Sequence, residues 1–255
     1  MFGVKDCHST EIGRVLLDRF PVTNCQYKQF VADGGYKDRT VWDSDIFTSV
    51  RRFVDQTHQL GPRFWKNGKY RLGEDDHPVI GVNWYEAQAY SRWVGKRLPT
   101  DAEWVSAAGR GIEFSDSVSG EPLYPWGSLF DEKNANLWAT DRGETVPVTS
   151  HPAGCSSDRV YQLVGNVWEW TSQDFAGWSD LQEHFELGRS LKSIRGGAYD
   201  TYFESHATCQ FQSGESPLAR RHNIGFRCVL SVDEIASELA LDQEDEPAEM
   251  AMTSH

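Results

Sequence analysis

The sequence predicts an α+β fold with little regular secondary structure. Three observations carry this reading. Capped helical patterns cluster in the first 110 residues. Residues 124–230 hold only short apolar runs between Gly, Trp and turn residues. The composition pairs ten Trp with 22 Gly, as in loop-rich folds where large rings fill gaps between irregular segments.

Taken in order, Val15 to Phe20 reads as a short strand ending at Pro21. Thr23 or Asn24 caps a first helix with an apolar face of Tyr27, Phe30 and Val31, and Gly34-Gly35 ends it. Residues 36–76 lack periodicity and read as a long irregular excursion, a kind of segment that often carries function. Residues 77–82 read as a short strand. Asn83 then caps a second helix, Trp84 to Val94, with Trp84, Ala87 and Tyr90 at helical spacing. Thr100 and Glu103 form a capping box for a third helix, with Trp104, Ala107 and Ala108 inward and Gly109 and Gly111 ending it. A second box, Ser231 to Glu234, opens an amphipathic stripe of Val232, Ile235, Ala236 and Leu239, followed by an acidic tail of disordered composition. Residues 1–230 are therefore expected to form one domain, with 231–255 as an appended tail.

The net charge is −13, which disfavours nucleic acid and anionic membranes as partners. Eight acids and no Lys or Arg lie in 231–255, so the remainder carries −5. No run of about 18 apolar residues is present and the N-terminus has no signal-peptide core, so a cytoplasmic location is expected. Five cysteines (Cys7, Cys25, Cys155, Cys209 and Cys228), widely spaced and without a CxxC pair, argue against a zinc site or a dense disulfide framework. Contact of Cys209 with Cys228 on neighbouring strands stays open.

The segments PVTNCQYKQFV (21–31), HPVIGVNWYEAQAYSRWVGKRLPTDAEW (77–104), YPWG (124–127), NANLW (134–138), LVGNVWEWTSQD (163–174), SIRGGAY (193–199) and HNIGFRC (222–228) follow one another in an order that resembles the formylglycine-generating-enzyme, or sulfatase-modifying-factor, family. The resemblance spans about residues 13–230. It implies a variant of the C-type-lectin fold: two packed helices and a twisted antiparallel sheet. The same fold closes the ergothioneine-type sulfoxide synthases.

In that family, two cysteines after the RGGSY-like motif bind copper as thiolates, the soft ligands Cu(I) requires. Here the motif is Arg195 to Tyr199, with Ala198 where serine is usual, and the two cysteine positions hold Thr201 and His206. Copper and formylglycine formation are therefore not expected. Cys209 and Cys228 match later family positions that are often disulfide-bonded, but the usual partner positions read Ser91 and about Ala107. The sulfoxide synthases carry iron on three histidines in a separate helical-bundle domain, for which this chain is expected to have no room. The segment Glu215 to Asn223 nonetheless resembles the region where their C-terminal domain lines its substrate pocket; its other reading is a solvated loop at Arg220, Arg221 and His222.

The resemblance implies structural Ca²⁺ at two sets of oxygens: Asn136, Leu137 and Asp141, then Gln162, Gly165, Val167 and Glu169, with Gln162 standing where Asn is usual. The alternative for Glu169 is a buried carboxylate accepting hydrogen bonds. The family groove is expected to be lined by Trp168, Tyr199, Tyr202, Phe203, His206, Arg220, Arg221 and Asn223, the surface that serves as the variable binding face in related diversity-generating proteins. Trp84, Trp93, Trp104 and Trp170 are assigned to the core, and Arg227 to a buried acid or carbonyls. Two functional classes follow. One is a binding or accessory module, taking a peptide, protein or small molecule in its groove or pairing with an active paralogue. The other is an oxygen- and metal-dependent oxidoreductase using His206, His222 and Glu204 or Glu215, or a partner chain.

Overall fold

The computed structural model describes residues 12–109, 123–175 and 191–233. The expected tail helix and acidic tail beyond residue 233, Gly111 and Cys7 lie outside these.

Three helices start where their caps predict. α1 (Asn24–Ala32) is capped by Thr23 in a capping box with Gln26. A four-residue α2 (Phe47–Val50) interrupts the irregular excursion. α3 (Trp84–Trp93) is capped by Asn83 and Glu86. α4 (Asp101–Gly109) has Thr100 and Glu103 bonded reciprocally. Each box satisfies helix-end N–H groups that have no intrahelical acceptor.

Among the described residues, six short strands form two sheets. β1 (Val15–Leu17) pairs antiparallel with β6 (Val229–Ser231). β2 (Trp168–Asp174), β3 (Lys192–Arg195), β4 (Gln212–Glu215) and β5 (Ile224–Gly225) form a second sheet in the order β4-β3-β2-β5. Two expectations need correction. β5 runs parallel to β2, so this sheet is mixed, not antiparallel. Residues 77–82 form no strand and make a single bridge, Thr23 to Pro78. Pro78 lacks an N–H to donate, and Gly81 at φ +73° turns the chain away.

The main core is aromatic. Tyr27, Phe30, Tyr90 and Phe226 interlock, with Tyr27 stacked on Tyr90 at 5.3 Å and Phe226 edge-on to Tyr90 at 5.5 Å. Trp84, Trp104 and Trp170 are buried as expected, and Trp93 packs half-buried against the same core. Cys209 and Cys228 form no disulfide with each other. Cys209 packs in a separate cluster with Trp104, Ala108 and Leu163. Cys228 Sγ lies 3.3 Å from Ser91 Oγ, at the very position where the family resemblance places its partner cysteine. Burial pushes the Cys228 thiol up to about 12.

Candidate functional site

The loop after β3 begins with Gly196 and Gly197 at φ +95° and +75°. A Cβ at Gly196 would stand 2.4 Å from the Leu163 carbonyl oxygen, so only glycine allows this close approach. The chain then folds into a tight turn. Thr201 N–H donates to the Ala198 carbonyl at 2.8 Å, and Thr201 Oγ1 accepts from the Ala198 N–H at 2.8 Å. The first expected cysteine position is thus a turn-closing hydroxyl.

The second, His206, ends a short 3-10 turn, Glu204–His206. Its ring stacks on Phe211 at 4.4 Å and meets Phe203 edge-on at 5.3 Å. From these rings a ladder runs in both directions. Phe203 contacts Tyr202 at 5.2 Å, and Tyr202 contacts Trp138 at 6.1 Å. Phe211 reaches Trp168, at the start of β2, at 6.0 Å. Trp138, Tyr202 and Phe203 are 57%, 69% and 60% exposed, large for apolar rings lying side by side on a surface. Trp138 and Phe211 were not among the expected lining residues. A tryptophan in a motif gives no local sign of whether it faces solvent or core.

Asp200 ties the turn to the 220–223 loop. Asn223 Nδ2 donates to both of its oxygens at 3.0 Å, and His222 Nε2 lies 3.4 Å from Oδ2. Tyr199 is nearly buried beside them and donates to the His222 carbonyl at 3.4 Å. Burial first, then the charges of Asp200 and Glu144, push its hydroxyl up to about 12, so it stays protonated. Arg221 stands at the rim, paired with Glu215 at 2.8 Å.

Arg220 is a correction. It points inward, with Nε 2.8 Å from Glu86 Oε2 as an ion-pair contact without hydrogen-bond alignment. Nη2 donates to Glu86 Oε1 at 2.9 Å, and Nη1 donates to the Val54 carbonyl at 2.8 Å. Tyr36 and the Asn83 N–H also donate to Glu86. Arg220 therefore fastens the irregular excursion to α3 and lines no groove, because a fully buried carboxylate needs its cation alongside.

The groups raised for redox metal chemistry do not converge. His206 is stacked between rings, His222 faces Asp200 and Glu215 holds Arg221. Among the described residues no three His, Cys, Asp or Glu side chains are placed to hold a metal. A turn-closing hydroxyl and a stacked imidazole do not fit copper(I), which takes thiolates. In the second calcium set, Arg227 engages both Glu169 oxygens and Trp104 donates to one of them, so that carboxylate is already neutralised. Gln162 Oε1 accepts from Asn166 Nδ2 at 2.6 Å. This second set does not fit a dication. In the first set, Asn136 Oδ1 and the Leu137 carbonyl lie 3.0 and 2.8 Å from the Thr140 hydroxyl and share its one proton, and Asp141 is exposed.

Comparison with known proteins bears on family and fold. The sulfatase-modifying factor enzyme 1-like domain family matches residues 5–232. A hercynine oxygenase of Mycolicibacterium thermoresistibile is 30% identical over 90% of this chain and 53% of its own length. The formylglycine-generating enzyme of Mus musculus is 29% identical over 83% of this chain and 64% of its own. The inactive C-alpha-formylglycine-generating enzyme 2 of Bos taurus is 28% identical over 88% and 79%. The chain thus spans about half the length of the hercynine oxygenases it matches. Among solved structures, CarF superposes with a TM-score of 0.57 at 21% identity, covering 86% of this chain and 87% of its own. PvdO of Pseudomonas aeruginosa gives 0.55 at 20% identity, covering 85% and 80%. These two likenesses concern the fold.

Proposed function

Starting from the fact that the chain belongs to the sulfatase-modifying factor enzyme 1-like domain family, we propose that it is a binding or accessory module of that family without the copper oxidase reaction. Its contact surface is the ladder Trp138–Tyr202–Phe203–His206–Phe211–Trp168. The observation that carries this reading is the use made of the two cysteine positions. Thr201 closes a turn and His206 is a rung of the ladder, so both serve a shaped surface. Exposed aromatic rings give large contact area at low entropic cost, and such surfaces suit a peptide, a partner protein or a planar small molecule. An inactive paralogue among the relatives offers a precedent for the scaffold without the chemistry.

The test is an oxygen electrode. Purified protein is supplied with copper and a cysteine-containing peptide, and uptake is compared with copper and peptide alone. Uptake equal to that background is expected, and protein-dependent uptake overturns the reading. A second reading follows from the hercynine oxygenases among the relatives: an oxygen- and metal-dependent oxidoreductase completed by another chain. Affinity capture of the intact protein from its own cells separates the two. Recovery of a metal-bearing partner whose oxygen uptake rises with this chain favours the second.

A further inference from the structure

A cavity of about 300 Å³ opens beside α1 and α3 and shares no residue with the aromatic ladder. Its lining draws on the segment after β1 (Asp18, Arg19, Phe20, Val22), on α1 and its cap, on Tyr90 and Val94 of α3, on Lys96 and on Val148. A volume of this size is at the lower end for small-molecule sites. The walls are mixed. The half-buried Phe20 and Val94 supply apolar surface, with Val22, Tyr90 and Val148 enclosed, while Lys96 and Arg19 bring two cations against the single carboxylate of Asp18.

The charges are not spent alike. Lys96 Nζ is 2.5 Å from Asp18 Oδ1, with both side chains about 30% exposed (29% and 31%). Arg19 is exposed, and its side chain makes no ion pair among the described residues, although its carbonyl accepts from Tyr161 and Arg227. Tyr90 is 5% exposed and its ring is held in the core. The cavity therefore pairs an apolar body with an excess of one positive charge, in a protein whose net charge is −13.

We propose that this cavity binds a small organic monoanion with a small apolar body, its carboxylate facing Arg19 and Lys96 and its body against Phe20 and Val94. A bare inorganic anion would leave the apolar walls uncovered, and a neutral analogue would leave the excess cation unmatched. Asp18 competes with the ligand for Lys96, so Asp18 and Arg19 act in opposite directions on affinity.

Titration calorimetry on the full chain, at low salt, with benzoate, benzamide and inorganic phosphate as probes reads this directly. Benzoate is expected to saturate in the millimolar range or below, and benzamide and phosphate are not. Arg19→Ala is expected to weaken benzoate about tenfold, as for loss of one charge-assisted contact. Asp18→Asn is expected to tighten it. Arg19 is exposed and Asp18→Asn is isosteric, so neither change is expected to prevent folding; circular dichroism checks this. Absence of saturable benzoate binding, equal binding of benzamide, or an unchanged affinity in Arg19→Ala each overturns the proposal.

Discussion

Arg227 and Glu169 face each other as a two-pronged pair inside the protein, Nε to Oε2 and Nη2 to Oε1 both at 2.7 Å, with the side chains 0% and 1% exposed. The remaining guanidinium hydrogens go to the carbonyls of Asp18, Arg19 and Tyr161, and Trp104 Nε1 donates to Oε2 at 2.8 Å. One pair thus joins β2, α4, the segment after β1 and the chain before β2.

Removing one member leaves the other charged and enclosed. Glu169→Gln or Arg227→Met is expected to lower unfolding free energy by about 3–5 kcal/mol, the range for breaking a buried ion pair. Urea denaturation of each single variant and of the double variant checks it. The double variant is expected to recover part of the loss, since it buries no lone charge.

Glu103 gives a pH signature. Burial works against its ionisation, but the Arg97 fork at 2.7 and 2.8 Å and the Thr100 N–H together hold its carboxyl below the ordinary value. Because the folded value is depressed, the stability is present above the unfolded value and lost as pH falls through the folded one. Denaturation between pH 6 and pH 3 is expected to show a shallower decline in Glu103→Gln than in the parent protein.

The thiols separate by accessibility. Cys228 is fully enclosed and its thiol is pushed up to about 12, whereas Cys25 is exposed on α1. Brief alkylation at pH 8 followed by mass spectrometry is expected to label Cys25 and to leave Cys228 and the buried Cys209 unlabelled until denaturant is added. Labelling of Cys228 in the native protein contradicts this packing.

The ladder predicts a split between affinity and stability. Tyr202→Ala and Phe203→Ala remove rings that are 69% and 60% exposed, so unfolding free energy is expected to change by no more than about 0.5 kcal/mol. Binding of any partner recovered with the intact protein is expected to weaken about tenfold in each, as for loss of an aromatic anchor. Surface plasmon resonance beside thermal melts measures both. A loss of stability without a loss of affinity counts against the ladder as a contact surface.

At the site, the sequence located the segment but not the orientation of its members. The rings of Tyr202, Phe203 and His206 touch in series because they sit within five residues of one turn. Trp138 and Phe211 join them only through the tertiary arrangement, since Trp138 is brought beside Tyr202 from the segment before β2. Asp200, which fastens the loop carrying Asn223, reads in the sequence as one more surface acid.

Helix positions, their caps, the family motifs and the missing cysteine pair were all determined by residues within a few positions of one another. Capping boxes and helical periodicity are local interactions, so a single sequence displays them. The tertiary structure decided what local pattern does not contain. Arg220 and Arg221 are neighbours in the chain, yet one is buried on Glu86, 134 residues away, and the other lies at the surface on Glu215. Glu169 is neutralised by Arg227 from 58 residues away, and β2 pairs parallel with β5. The direction of a side chain in irregular backbone depends on which distant segment offers a charge or a cavity, and that is settled only when the segments meet.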